Sequence, residues 1–115
     1  RRQRQMCIRD RAICCDYRVM AEGKYSIGLN EIPVGIIVPE TIFHLYSFWL
    51  GHRLAYQYLL EGKLLKSGQA LAVGLVDKTV DANDVLETAK KQMARYYQFD
   101  ANTWQTSKMN MRKDL

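Results

Sequence analysis

The sequence of 115 residues predicts an α/β chain. Short runs rich in β-branched and aromatic residues, which favour strands, alternate with stretches that carry apolar residues every three or four positions, which favour helices. The composition agrees, because 48% hydrophobic and 10% aromatic residues are typical of a globular domain. At this length the chain forms at most one domain.

Two strand signals come first. Residues 16–21 mix β-branched and aromatic side chains before a Glu-Gly-Lys turn, and residues 25–29 form a second such run. Residues 30–38 contain a proline and a glycine, and they predict an irregular connection. The apolar end of this connection, residues 36–38, is expected to be buried against the core.

Two helices are predicted next. Pro39, at a first helical position, and Glu40, in the first turn, open a helix that continues through Leu50 and takes Gly51 as its C-cap. A second helix is predicted over residues 52–60, with a glycine stop two residues later.

The remaining elements alternate in the same way. Ser67 is a candidate N-cap of a short helix over residues 69–73, and residues 75–80 are typical of a strand. A helical pattern begins at Asp81, and Asp100 is a candidate N-cap of a last helix. Because two or three strands are too few to close a core of this hydrophobicity, we expect the chain to be part of a larger domain.

The distribution of charge argues against nucleic acid as a partner. Residues 1–11 hold five arginines and one aspartate and so carry +4 of the net charge of +5. Residues 12–115 are nearly neutral, whereas a nucleic-acid-binding domain carries its positive charge on a folded face. A membrane span is not expected either, because no apolar run approaches the roughly 18 residues that a bilayer requires.

The basic N-terminus has a second unusual property. RRQRQMCIRD resembles the translation of a sequencing adapter. We therefore interpret residues 1–11 as a non-native tag. A native basic arm is the alternative.

No metal site is expected. His44 and His52 could share a helical face, but a helix break at Gly51 would separate them. Cys14 and Cys15 lack the Cys-x-x-Cys spacing of zinc sites, and we expect them to be small buried thiols.

Five segments carry a family resemblance. They are AICCDYRVMA (12–21), YSIGLNEIPVGII (25–37), LGHR (50–53), LKSGQALAVGLVD (65–77) and SKMNMRK (107–113). Together they resemble the enoyl-CoA hydratase/isomerase (crotonase) superfamily. Within it they are most similar to the mitochondrial Δ3,Δ2-enoyl-CoA isomerases, because Asn30-Glu31 stands where hydratases usually carry Pro-Glu. The resemblance implies that residues 12–115 are the C-terminal half of a crotonase-like (ClpP/crotonase) spiral fold, incomplete in this chain.

The resemblance also implies a reaction and a catalytic base. Such isomerases move a double bond of an acyl-CoA from position 3 to position 2, and one carboxylate suffices because it removes a proton and returns it one allylic step away. Glu31 matches the position of that base, although spacing alone would predict an exposed turn glutamate. Its apolar neighbours disfavour the charged carboxylate and should raise its pKa. Leu29, Asn30 and Gly35 are predicted to contact the substrate.

The resemblance also implies groups that stabilise the enolate oxygen, and these fall outside the matched segments. The family stabilises the enolate oxygen with two backbone N–H groups. One comes from an upstream loop, and the other would fall near Cys7 and Ile8, inside the predicted tag. We therefore expect the chain alone to be inactive. Asp10 occupies the position of a second catalytic glutamate of hydratases, but it belongs to the predicted tag and is assigned no role.

The resemblance further implies a homotrimer in the mitochondrial matrix, with a coenzyme A thioester as substrate and no cofactor. Two alternatives remain open: an enoyl-CoA hydratase or other crotonase-type lyase, and a non-catalytic crotonase-fold binding protein.

Two groups of side chains have competing interpretations. An aromatic-rich region is expected to pack in the core, with lining of an acyl tunnel as the alternative; it comprises Phe43, Tyr46, Phe48, Trp49 and Tyr56. The cations of the last helix are expected on a solvated face, with a contact to a coenzyme A phosphate as the alternative; they are Lys108, Arg112 and Lys113.

Overall fold

The computed structural model describes residues 12–113. The predicted tag, with Cys7, Ile8 and Asp10, lies outside the described residues. In chain order the elements are β1 (Val19–Ala21), β2 (Ser26–Gly28), a 3-10 turn (Ile32–Val34), α1 (Glu40–Leu50), α2 (His52–Glu61), β3 (Leu64–Lys66), α3 (Ser67–Val73), β4 (Lys78–Val80), a second 3-10 turn (Ala82–Asp84), α4 (Val85–Tyr96) and α5 (Ala101–Met111). The α/β prediction is therefore confirmed.

The strands pair with partners that are distant in the sequence. β1 pairs in parallel with β4, with Val19 opposite Lys78, and β2 pairs antiparallel with β3, with Gly28 opposite Leu64. A parallel pair requires a crossover connection. Here α1, α2 and α3 all lie between β1 and β4 in the chain.

The core forms where these strands meet the helix pair α1–α2, whose members pack against each other. Tyr46, Leu65 and Leu75 are the largest fully buried side chains among the described residues. Gly51, at φ 86° and ψ 152°, breaks the chain between α1 and α2, and its N–H donates to the Ser47 carbonyl at 2.7 Å. The predicted helix break is confirmed.

The region around β3 departs from the prediction. β3 was not expected, and it runs directly into α3, which begins at Ser67. Lys66, extended at φ −74° and ψ 166°, therefore takes the N-cap position, and the expectation that Ser67 caps this helix is wrong. Residues 75–77 form bends, so that the last predicted strand begins only at Lys78.

Both aspartates predicted near helix starts accept backbone hydrogen bonds. The Asp81 carboxylate accepts the N–H of Asn83 at 3.0 Å. The Asp100 carboxylate accepts from Thr103 twice, from the N–H at 2.9 Å and from Oγ1 at 2.8 Å. Asp100 is therefore the N-cap of α5, as predicted.

Two expectations of burial are wrong. Ile36 and Ile37 are 40% and 88% exposed, and of residues 36–38 only Val38 packs against the core. Cys14 and Cys15 are exposed thiols, because the helical turn that buries Ile13 directs its neighbours away from the core.

Within the described part of the chain, no helix is both long and apolar enough to cross a membrane.

Candidate active site

Glu31 begins a tight turn that its own backbone stabilises. It is the residue before the 3-10 turn, and its carbonyl oxygen accepts the N–H groups of Val34 at 3.1 Å and Ile36 at 2.8 Å. Gly35 closes the turn in the left-handed conformation, φ 83° and ψ 22°, which favours glycine. The main chain that follows Glu31 is thus held by these two hydrogen bonds and by the conformation of Gly35.

The Glu31 side chain is buried. The residue is 5% exposed, and it is the only buried aspartate or glutamate in residues 12–113. The exposed turn glutamate that spacing alone would predict is therefore not what the structure shows. Carboxylates are seldom buried without a reason, so this position is the strongest candidate for acid–base chemistry among the described residues.

A three-residue segment, Gly62–Leu64, lies against both ends of the Glu31 turn. On one side, a Cβ atom added to Gly28 would overlap the carbonyl oxygen of Lys63. On the other, a Cβ atom added to Gly62 would overlap Cγ and Cδ of Pro33. The two glycines therefore allow close contacts, with a main-chain carbonyl at Gly28 and with a proline ring at Gly62, that a larger residue would prevent.

The predicted substrate-contacting residues flank Glu31 but differ in their surroundings. The Leu29 side chain lies in the core beside Tyr46, so a substrate contact of Leu29 would be made by its main chain. Asn30 is half-buried and Gly35 is exposed. Their contact with substrate stays a prediction.

Two open clefts, each of about 440 Å³, lie along α5. Trp104 and Lys108 line one, and His44, Lys108 and Arg112 contribute to the other. Glu31 lines neither. Burial of a carboxylate, and not concavity of the surface, is what distinguishes Glu31.

The histidines occupy separate helices, as the predicted break at Gly51 requires. His44 Nε2 lies 3.4 Å from Glu40 Oε1, and the His52 ring meets the Phe43 ring edge-on. Throughout residues 12–113, no group of three or more His, Cys, Asp or Glu side chains is arranged to hold a metal ion.

Two cations of the last helix are engaged with the protein. Lys108 Nζ lies 2.6 Å from Asp16 Oδ2, and Arg112 Nη1 lies 3.4 Å from Asp16 Oδ1 and 3.3 Å from the Cys14 carbonyl oxygen. The expectation of a solvated face is wrong for these two residues, because α5 folds back onto residues 14–16. It holds for Lys113, which is exposed.

The aromatic region divides between core and surface. Tyr46 is fully buried, and Phe43 and Trp49 pack against the core. Phe48 and Tyr56 are exposed. The expectation of core packing is therefore confirmed for three of the five residues and wrong for the other two.

Arg18 is a structural residue that sequence reasoning missed. It is 5% exposed, and its guanidinium donates to the carbonyl oxygens of Leu75 and Cys15 while stacking 3.9 Å from the centre of the Trp49 ring. Its backbone N–H donates to Asp77 Oδ2 at 2.8 Å. Burial lowers the pKa of the Arg18 guanidinium, and the nearby Asp77 carboxylate partly opposes this.

The Arg18 cluster joins segments that are far apart in the chain. Arg18 belongs to segment 12–21, while Leu75 and Asp77 belong to segment 65–77. The sequence showed that both segments are present. It did not show that they contact each other.

Comparison with known proteins places the chain in a family. Residues 10–115 match the family described as Enoyl-CoA hydratase/isomerase, and the chain belongs to this family. The incomplete crotonase fold that the sequence motifs implied is thereby confirmed.

Individual relatives show which members of this family the chain is similar to. Over 103 residues, which are 89% of this chain, it is 41% identical to the mitochondrial enoyl-CoA delta isomerase 1 of Mus musculus and 38% identical to that of Homo sapiens. The crystal structure of the human mitochondrial delta3-delta2-enoyl-CoA isomerase superimposes over 88% of this chain and 40% of that chain, with a TM-score of 0.84 at 37% identity. The chain spans only 36% and 34% of the lengths of the two curated relatives.

Proposed function

We propose that the protein containing residues 12–115 is an enoyl-CoA Δ-isomerase, which converts 3-enoyl-CoA to 2-trans-enoyl-CoA in fatty-acid β-oxidation. Glu31 is the proposed acid–base group. The observation that carries the proposal is the burial of the Glu31 carboxylate in a hydrogen-bonded turn. The similarity to enoyl-CoA delta isomerases supports the choice of reaction.

The proposed mechanism needs a single carboxylate. The thioester carbonyl acidifies the protons on C2 of the acyl chain, and the Glu31 carboxylate removes one of them to leave a dienolate. The resulting carboxylic acid then donates its proton to C4, so that the double bond lies between C2 and C3 and Glu31 is again ionised. Exclusion of water around Glu31 favours return of the proton to the substrate over its loss to solvent.

The negative charge on the enolate oxygen requires hydrogen-bond donors. By the family resemblance, one donor comes from a loop upstream of the matched segments, and the position of the other, near Cys7 and Ile8, falls in the segment that we interpret as a non-native tag. We therefore propose that the 115-residue chain alone does not catalyse the isomerisation.

The proposal extends to partners and location. The substrate is a coenzyme A thioester, and no cofactor takes part in the proton transfer. Assembly as a homotrimer and residence in the mitochondrial matrix are proposed by resemblance to the family; the named relatives are mitochondrial enzymes.

A chimaera tests the role of Glu31. Residues 12–113 replace the aligned segment of the mouse relative, and conversion of 3-enoyl-CoA is followed by the absorbance of the conjugated thioester. Glu31→Gln keeps the size of the side chain but removes the base, so kcat should fall by about 10²–10⁴-fold with little change in KM. Glu22→Gln, the same change at an exposed glutamate, should leave kcat unchanged.

Three outcomes would contradict the proposal. Turnover by Glu31→Gln close to that of the parent chimaera would remove Glu31 from the role of base. Hydration of 2-enoyl-CoA faster than isomerisation would instead support the hydratase alternative. Isomerisation by the 115-residue chain alone would show that it contains its own enolate donors.

A further inference from the structure

We infer that Gly62 is a positioning residue for the Glu31 carboxylate, because it leaves room for the Pro33 ring and so sets the distance between α2 and the Glu31 turn. This inference rests on the proposed function of Glu31. It concerns a residue 31 positions later in the chain, which is the C-cap of α2.

Gly62 is held firmly at the end of α2. It ends the helix in the left-handed conformation, φ 64° and ψ 37°, and its N–H donates to the Leu59 carbonyl at 3.2 Å. The next N–H, that of Lys63, donates to the Tyr58 carbonyl at 3.0 Å. Both Tyr58 and Leu59 are buried in the core, so this end of α2 is a fixed support.

Pro33 is the residue through which this end of α2 contacts the turn that contains Glu31. It lies two residues after Glu31, inside the 3-10 turn, and its ring restricts the backbone there. A Cβ atom on Gly62 would overlap Cγ and Cδ of that ring and would lie 3.3 Å from the Asn30 Cα. Carbon atoms in contact normally stand about 3.5–4.0 Å apart. One added methyl group must therefore displace the turn, the helix end, or both.

The opposite end of the turn has a similar contact. Gly28 approaches the Lys63 carbonyl oxygen so closely that a Cβ atom would overlap it, and the same atom would lie 3.2 Å from the Leu64 Cα. Segment Gly62–Leu64 thus contacts the chain before and after Glu31. Since catalytic groups must be held to within about 0.5 Å, such a contact decides whether the carboxylate meets its substrate correctly.

Gly74 provides a matched control. It ends α3 in the same left-handed conformation, φ 83°, but the nearest atom to an added Cβ is the Trp49 carbonyl oxygen at an ordinary 3.6 Å. Gly62→Ala and Gly74→Ala therefore share the backbone strain of a left-handed alanine. Only Gly62→Ala presses on Pro33.

Hydrogen exchange on the full chain tests the inference directly. The amides of Val34 and Ile36 report on the turn, because both donate to the Glu31 carbonyl. Gly62→Ala should reduce their protection by about tenfold or more and shift the ¹³C NMR signal of the Glu31 carboxyl group. Gly74→Ala should change neither, although both variants lower the unfolding midpoint.

A compensating variant distinguishes positioning from general destabilisation. In Gly62→Ala/Pro33→Ala the new methyl group occupies space that the proline ring has left, so protection of the two amides and the Glu31 signal should return towards the parent values. Pro33→Ala alone should also lower the protection, because it removes the contact. If Gly62→Ala fails to fold, the loss of protection in Pro33→Ala alone tests the inference.

The same variants in the chimaera should show the catalytic consequence. Gly62→Ala should lower kcat by about 10²-fold with KM little changed, and the double variant should regain most of the loss. Equal effects of Gly62→Ala and Gly74→Ala on the turn amides, or no recovery in the double variant, would overturn the inference. If the exchange results hold but Glu31→Gln retains full activity, the proposed function fails and the structural coupling stands.

Discussion

Replacing Arg18 with methionine removes the guanidinium group and keeps a long apolar side chain in the same place. In the structure that group supplies the Leu75 and Cys15 carbonyl oxygens with donors and stacks on Trp49. A buried acceptor that loses its donor costs about 1–3 kcal/mol, and a desolvated cation–π contact adds about 1–2 kcal/mol. Because methionine retains the packing of the stem and Leu75 is the buried acceptor, we expect Arg18→Met to lower the free energy of unfolding by about 2–5 kcal/mol.

Urea denaturation of the full chain, followed by tryptophan fluorescence, measures this loss. With a denaturant slope of about 2 kcal/mol per molar, the midpoint should fall by about 1–2.5 M. Arg53→Met makes the same chemical change at an exposed position of α2, and it should alter stability by no more than about 0.5 kcal/mol. A loss below about 1 kcal/mol for Arg18→Met, or equal losses for both variants, would refute the reasoning.

Two further predictions concern the last helix. Because Thr103 donates two hydrogen bonds to the Asp100 carboxylate, the pKa of Asp100 lies below its ordinary value of 3.8, so the ionised cap stabilises α5 fully above that value and less as the pH falls through the lowered pKa. Circular dichroism should show this acid-induced loss of helix, and Asp100→Asn, which cannot ionise, should flatten it; an unchanged profile would contradict the assignment. Asp16→Asn removes the negative charge that pairs with both Lys108 and Arg112, and we expect amide protection in α5 to fall by about fivefold, equivalent to about 1 kcal/mol. Unaltered protection would show that these ion pairs do not anchor the helix.

The helices were predictable because local chemistry sets their limits. The glycines at positions 51 and 62 end α1 and α2, and the acceptor at Asp100 starts α5. Such signals act over a few residues and can be recognised without knowledge of the rest of the fold. β3 gave no comparable signal, because a strand of three residues is defined by its partner β2, which lies far back in the chain.

The candidate site was predictable only in part for the same reason. The Leu-Asn-Glu motif identified Glu31, whereas spacing alone would have left it exposed. The turn that carries this buried residue packs, through Pro33 and Asn30, against Gly62, 31 positions after Glu31. The burial of Arg18 likewise depends on Leu75, 57 positions away. A polar side chain can be buried only when such distant partners satisfy it, and no local pattern reports them.

The parallel pairing of β1 with β4 determines the order in which this region can form during synthesis. The paired residues Val19 and Lys78 are 59 positions apart, so at typical translation rates β1 is synthesised about 3 to 12 s before its partner. The turn that carries Glu31 also precedes its support at Gly62. β2 and the Glu31 turn therefore lack Gly62 and β3 until all of α2 has been synthesised, and the β2 edge is unpaired during that time.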